Sequence, residues 1–371
     1  MSSDRASERK AEYKMKVGNI KRITGIIIII CMMLACAACG SKEGDTASAT
    51  ERQKEKDANT LQIVTTIFPE YDWVREILGT NPAGAELTLL LDSGTDLHSY
   101  QPTAEDIMRI SKCDLFIYVG GESDKWVDDA LKEKTNQNMI VIDLMDVLGD
   151  NAKEEELVEG MQGEEDEHEH EDADHEDADH EDAEHDHDHE EGPEYDEHVW
   201  LSLKNAVRFV DVITEKLAGL DAANAETYRA NAKKYTESLN KLDGEYKAAV
   251  DGSKKTILFG DRFPFRYMVE DYGLDYYAAF IGCSAETEAS FETITFLAGK
   301  VDELGLRSIF VLEGNNLKIA ETIKSNTKTK DQKILAINSM QGITSANIEE
   351  GAKYLTIMEE NLKVLKEGLQ Y

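Results

Sequence analysis

From Leu61 onward, short runs of consecutive apolar residues alternate with stretches whose apolar residues recur at helical spacing. The runs LQIVTTIF (61–68), AELTLLL (85–91), DLFIYVG (114–120) and MIVIDL (139–144) have the length and β-branched or aromatic content of strands. Between them, 71–78 has helical spacing, and 103–111 reads as a helix opened by Pro102 and Thr103. After an acidic interruption the helical period returns at 203–217. It continues over 222–250, a long stretch broken only softly at Gly244. A second series of strands follows at TILFG (256–260), DYYAAF (275–280), RSIFVLE (307–313) and KILAIN (333–338). Helical spacing separates these at 265–271, 291–304 and 317–325, and the chain closes on an amphipathic stretch, 348–369. Strands alternating with helices imply parallel sheets covered on both faces. The expected fold is α/β: two lobes, each with a central, mainly parallel sheet flanked by helices, joined by one long helix. The expected boundaries are an N-terminal lobe over 61–220 with an insert at about 151–194, a connecting helix over 221–252 and a C-terminal lobe over 253–371. Ligands of such sheets sit beyond the carboxyl ends of the strands, here between the lobes.

Ahead of the first strand lies the apolar run ITGIIIIICMMLACAA (23–38), preceded by Lys16, Lys21 and Arg22. A basic start followed by a short apolar run is the pattern of an export signal, and Met15 would serve as its start as well as Met1. The alternative, a single transmembrane helix, asks for about 20 apolar residues, more than this run offers. The run ends in Cys39-Gly40-Ser41 after two alanines and resembles the lipobox of bacterial lipoproteins. That resemblance implies a signal peptide over 1–39 and lipidation at Cys39, with Cys36 as the weaker candidate. Residues 40–60 are polar and read as a flexible tether.

Charge narrows the function. The 371 residues include 75 Asp and Glu against 40 Lys and Arg, a formal net charge of −35. Nucleic acid is excluded as a partner, because its phosphates need cationic side chains. Cations are favoured. The body holds only Cys113 and Cys283, far apart in the chain and without a C-x-x-C pair, so nitrogen and oxygen ligands are expected. Seven of the nine histidines fall in one segment, at His168, His170, His175, His180, His185, His187 and His189. There a repeat of HEDAD or HEDAE runs into HDHDH. Imidazoles among carboxylates bind zinc loosely at several positions, and such a segment has no apolar residues with which to build a core. Its histidines are spaced one residue wider than in the H-E-x-x-H pattern of zinc proteases. The two remaining histidines stand apart. His98 falls in a polar loop directly after a predicted strand, and His198 lies in YDEHVWL, with acids before it and apolar residues behind.

Around those two histidines the sequence resembles a known family. TDLHSYQPTAEDI (95–107), DEHVWLSLKNAV (196–207), FRYMVEDYGLDYYA (265–278), SAETEAS (284–290), IFVLEGNNLKIAETI (309–323) and the closing GAKYLTIMEENLKVL are similar, in order, to segments of the metal-binding solute-binding lipoproteins of ABC importers. An acidic, histidine-rich insert just before the second histidine is typical of their zinc-type members. The resemblance implies an interlobe metal site for Zn2+, with Mn2+ as a competitor, and His98 and His198 as its first two ligands. Glu313 matches a glutamate that is a ligand in some zinc-binding members. The family's third ligand falls at Arg262, which stays protonated and cannot bind a metal. One reading shifts the neighbouring Asp261 into that place; another completes His98, His198 and Glu313 with water or an insert histidine. Cys283 is a further, outside candidate as a soft ligand, and a small buried hydrophobe explains it better. The implied partners are an ABC permease and its ATPase, with a lipid anchor to the membrane, a monomeric state and no catalysis. A surface metal buffer or adhesin acting through the insert is the alternative. A zinc hydrolase is a lesser one, since no Ser-His-Asp set, phosphate loop or zinc-protease pattern is found.

Overall fold

A computed structural model describes residues 60–163, 194–253, 255–284, 288–314 and 316–369. The expected signal, the lipobox with Cys39, nearly all of the tether and the seven insert histidines lie outside these residues.

Two four-stranded sheets form, each wholly parallel. The first has the order β2-β1-β3-β4 and is built from β1 (Gln62–Thr65), β2 (Glu86–Leu89), β3 (Leu115–Tyr118) and β4 (Ile140–Asp143). The second repeats that topology as β6-β5-β7-β8, from β5 (Thr256–Phe263), β6 (Asp275–Ile281), β7 (Ser308–Leu312) and β8 (Lys333–Ile337). Parallel strands need crossovers. Helices α1 (Phe68–Leu78), α2 (Ala104–Lys112), α3 (Trp126–Lys132) and α4 (Leu144–Leu148) serve the first lobe. In the second, α7 (Arg266–Tyr272), α8 (Phe291–Leu304) and α9 (Lys318–Asn326) do so. Between the lobes run α5 (Leu203–Leu220) and the 26-residue α6 (Ala225–Val250). The chain ends in α10 (Ser345–Glu349) and α11 (Tyr354–Gly368). The two-lobed α/β architecture read from the sequence is the one observed.

Local chemistry explains where elements start and stop. Thr103 caps α2 in a reciprocal box: its hydroxyl accepts the Asp106 N–H, and the Asp106 carboxylate accepts the Thr103 N–H at 2.9 Å. Helix α6 passes Gly244 unbroken, because that glycine sits on its exposed face. The amphipathic stretch 348–369, by contrast, is two helices. Arg75 binds the Ala352 carbonyl at 2.7 Å, and Asp72 accepts the Tyr354 N–H at 2.7 Å, so α1 supplies the cap at which α11 begins. The short α3 and α4 carry too few turns to show a period, and the sequence reading left them out. Strand β5 runs on to Phe263, with a shift of register against β6 between Phe259 and Arg262.

One continuous apolar core spans both lobes. Trp73 of α1 is fully buried, with its ring 5.6 Å from Phe209 of α5 and 5.3 Å from Tyr354 of α11. A smaller cluster fills the far side of the second sheet beneath α8 and α9. Helix α6 is hydrogen-bonded to both ends of this assembly. Asn231 donates to the Ile77 carbonyl at 3.0 Å, and Tyr246 donates to the Met358 carbonyl at 2.7 Å. The chain on either side of the insert is also pinned: Glu155 N–H to the Glu194 carbonyl at 2.9 Å and Asp196 N–H to the Lys153 carbonyl at 2.8 Å, around an antiparallel bridge between Glu154 and Tyr195.

Two predictions follow from this packing. Trp73→Ala should cost about 3–5 kcal/mol in urea unfolding, the range for truncating a large buried aromatic; a loss below about 1 kcal/mol would contradict its place in the core. The second concerns Glu70 of α1, whose carboxylate is fully buried and accepts from Thr66 N–H at 2.9 Å and Ile67 N–H at 3.2 Å. Burial, and next the charge of Asp124, push its carboxyl up to about 8 against those donors. Below the ordinary value of 4.5 both folded and unfolded chains bind this proton, so the stabilisation is fully present there and is lost as pH rises towards about 8. The metal-free protein should therefore lose stability over that window, and Glu70→Gln should flatten the fall. Equal pH slopes of the urea midpoint in both proteins would show that Glu70 does not carry it.

Candidate metal centre

His98 follows β2 in a single 3-10 turn, Leu97–Ser99. Asp96 caps that turn by accepting the His98 N–H at 3.1 Å. The His98 ring is held at its inner nitrogen: Nδ1 lies 2.8 Å from Ser123 Oγ and 3.4 Å from Glu197 Oε2. Glu197 is itself fixed by the Ser123 N–H, which donates to Oε1 at 2.8 Å. Burial opposes ionisation of Glu197, but the bonds from His98 and Ser123 outweigh it and hold the carboxyl below its usual range. Gly121 makes room for this carboxylate. It has φ of +82°, and a Cβ there would stand 2.4 Å from Glu197 Oε1.

His198 is wholly buried. Asp196 Oδ1 accepts both its backbone N–H, at 2.8 Å, and its Nδ1, at 3.0 Å. Trp200 packs beside it with ring centroids 5.3 Å apart, and the indole N–H donates to the Ser339 carbonyl at 2.8 Å. Each imidazole thus has its Nδ1 on the side of a carboxylate and turns its Nε2 towards the other ring. The two Nε2 atoms are 3.2 Å apart. Two nitrogens bound to one tetrahedral zinc lie about 3.3 Å apart. The Gln341 amide also reaches His198 Nε2, at 3.1 Å.

Among the described residues, the group able to hold a metal is His98, His198 and Cys283, whose donor atoms all lie within 4.8 Å of one another. Asp261 and Glu313 are not in it. The register shift in β5 turns Asp261 inward, where its carboxylate accepts the Leu312 N–H at 3.0 Å and the Arg262 N–H at 2.8 Å. Glu313 accepts the Ser339 N–H at 2.7 Å and the Ser339 hydroxyl at 2.8 Å. Burial raises the Glu313 carboxyl, and the bonds from Ser339 only partly restore its acidity. Arg262 pairs with Asp96 at 2.8 Å. The Asp261 carboxylate, which one reading of the sequence shifts to the metal, is bonded to backbone amides on both oxygens.

The family model described as "Zinc-uptake complex component A periplasmic" matches residues 63–368. The chain belongs to the ZnuA family. The high-affinity zinc uptake system protein ZnuA of Bacillus subtilis is 29% identical over 349 residues, covering 94% of this chain and 98% of that one. The zinc-binding protein AdcA of Streptococcus pyogenes is also 29% identical, over 82% of this chain. This chain spans about half the length of those AdcA relatives, 55%. Among solved structures, the metal-dependent lipoprotein YcdH of Bacillus subtilis superposes with a TM-score of 0.64 at 25% identity, covering 84% of this chain and all of that one. The Zn(II)-bound ZnuA-like domain of Streptococcus pneumoniae AdcA does so with 0.62 at 25%, over the same shares. Among the described residues, no helix is long and apolar enough to cross a membrane.

Several residues of this ZnuA-family site carried no signal in the sequence. Ser123 and Gln341 are ordinary polar residues in loops, brought to the imidazoles only by the fold. Asp196 and Glu197 were visible as the acids before His198, but not that they serve different rings. Replacing Asp196 by alanine should weaken zinc binding by about 10–100-fold, the usual loss when the outer partner of a ligating histidine is removed. Calorimetry checks this, and unchanged affinity would show that His198 needs no such orientation.

Proposed function

We propose that this chain is an extracytoplasmic solute-binding protein that captures Zn2+ between its lobes and hands it to an ABC permease driven by its ATPase. The observation that carries this reading is the pair of imidazole nitrogens, His98 Nε2 and His198 Nε2, facing each other at 3.2 Å. Two nitrogens at that separation can both bind one cation, and the carboxylates behind both rings favour that cation further. Zinc fits the imidazole donors, whereas manganese prefers oxygen and competes less well. The zinc names of the relatives and the Zn(II)-bound structural neighbour support the same cargo.

His98 belongs to the first lobe, Cys283 to the second, and His198 to the segment between them, so capture draws the lobes together around the ion. Bonds that cross the cleft keep this movement small. Trp200 reaches Ser339, Ser345 N–H donates to the Asp92 carbonyl at 2.8 Å, and α6 braces both lobes. No catalysis is assigned, since the donors serve only to hold a cation. The formal charge of −35 raises the local cation concentration, and the insert histidines collect zinc loosely before the cleft takes it. A lipid on Cys39 tethers the mature monomer to the membrane.

Zinc and manganese titration by calorimetry, on the wild type, a variant lacking 164–191 and the His98→Ala/His198→Ala double variant, tests the reading. One tight zinc site should survive the deletion and vanish in the double variant. Binding that disappears with the insert and ignores both histidine substitutions would make the protein a surface metal buffer instead.

A further inference from the structure

We propose that the Cys283 sulfur is the third metal ligand, and that Arg262 is the residue that positions it. The proposal rests on the zinc-capture reading above and deepens it by adding a thiolate to the donor set. Arg262 stands where the family resemblance expects a ligand, and its guanidinium works as a clamp. One nitrogen binds Asp96 at 2.8 Å, and another donates to the Ser284 carbonyl at 3.4 Å. Asp96 caps the turn of His98, and Ser284 follows Cys283 directly, so a single side chain ties the two ligand-bearing loops together.

The local backbone is shaped for the same approach. A Cβ at Gly282 would lie 3.0 Å from His198 Cε1 and 3.0 Å from the Phe263 carbonyl oxygen, so any larger residue there would press the loop away from the imidazole by a few tenths of an ångström. The Cys283 N–H is held by Glu155 Oε1 at 3.2 Å. Cys283 forms no disulfide. Neither Asp261 nor Glu313 belongs to the cluster, which leaves Cys283 as the third donor beside the histidines among the described residues. A tetrahedral zinc sets nitrogen and sulfur about 3.6 Å apart, so donors now within 4.8 Å of one another need a shift of about 1 Å to close on the ion. As the sulfur–metal bond forms, the thiol proton passes to the Glu155 carboxylate beside it, and charge and atoms balance. A thiolate makes the site softer than one of nitrogen and oxygen alone. It favours zinc and cadmium and disfavours manganese.

Cobalt(II) is the probe, because a thiolate ligand gives it a charge-transfer absorption in the near ultraviolet that histidine and carboxylate do not. The full-length wild type should show this band on titration with cobalt, and Cys283→Ser should lose it. Zinc affinity in that variant should fall by about a hundredfold or more, at or beyond the upper end of what an outer-shell partner costs, while manganese affinity scarcely changes. A wild-type cobalt complex without the band, or a band that persists undiminished in Cys283→Ser, overturns the assignment. His98→Ala separates the two claims. If it abolishes the zinc site while Cys283→Ser binds zinc like the wild type, only the thiolate is wrong; if His98→Ala changes nothing, the capture reading falls with it.

Discussion

Asp196 and Glu197 are neighbours in the chain, yet they face different imidazoles. Asp196 turns back to the ring of His198, and Glu197 crosses to the ring of His98. A neutral imidazole can carry its proton on either nitrogen, and an acceptor fixed beside Nδ1 favours the form whose Nε2 can bind a metal. The dipeptide thereby helps to direct two side chains a hundred residues apart in sequence. Placing two carboxylates in a buried pocket is costly without donors. Here the Ser123 N–H, the backbone of His198 and the His198 imidazole supply them, while Glu197 Oε2 stands 3.4 Å from His98 Nδ1.

The same logic assigns Glu313 a place one layer out. Its carboxylate holds Ser339, the Ser339 carbonyl accepts from Trp200, and Trp200 packs beside His198. Tyr354 closes the layer by donating its hydroxyl to the Trp200 carbonyl at 2.6 Å. The second lobe thus supports His198 from below through a chain of hydrogen bonds.

Periodicity and run length were enough to read both sheets, because parallel strands buried on two faces appear as short apolar runs whatever their surroundings. His98 and His198 were legible for a different reason: outside the insert they are the histidines of the body. What the sequence does not show is anything decided by contact. A register shift of one residue in β5 determines whether Asp261 or Arg262 points to the cleft, and no pattern in FGDRFPF encodes it. Cys283 reads in the sequence more as a small core residue than as a ligand, and only the fold brings its loop against His198. The break before α11 depends on Asp72, some 280 residues away, supplying the cap.

The bridge between Glu154 and Tyr195, on either side of the histidine-rich segment, has a consequence for how such a protein can vary. Lys153 and Glu155 on one side and Glu194 and Asp196 on the other are bonded directly to one another, and the Gln162 N–H donates to the Ala279 carbonyl at 3.0 Å, so both flanks of the segment are fixed to the body. Closing a longer flexible loop across fixed ends costs little, about 0.6 kcal/mol for each doubling. A change in the number of HEDAD-type repeats between such fixed ends should accordingly have little effect on His98 and His198. The length of the acidic segment and the geometry of the two imidazoles are thereby separately adjustable within one chain.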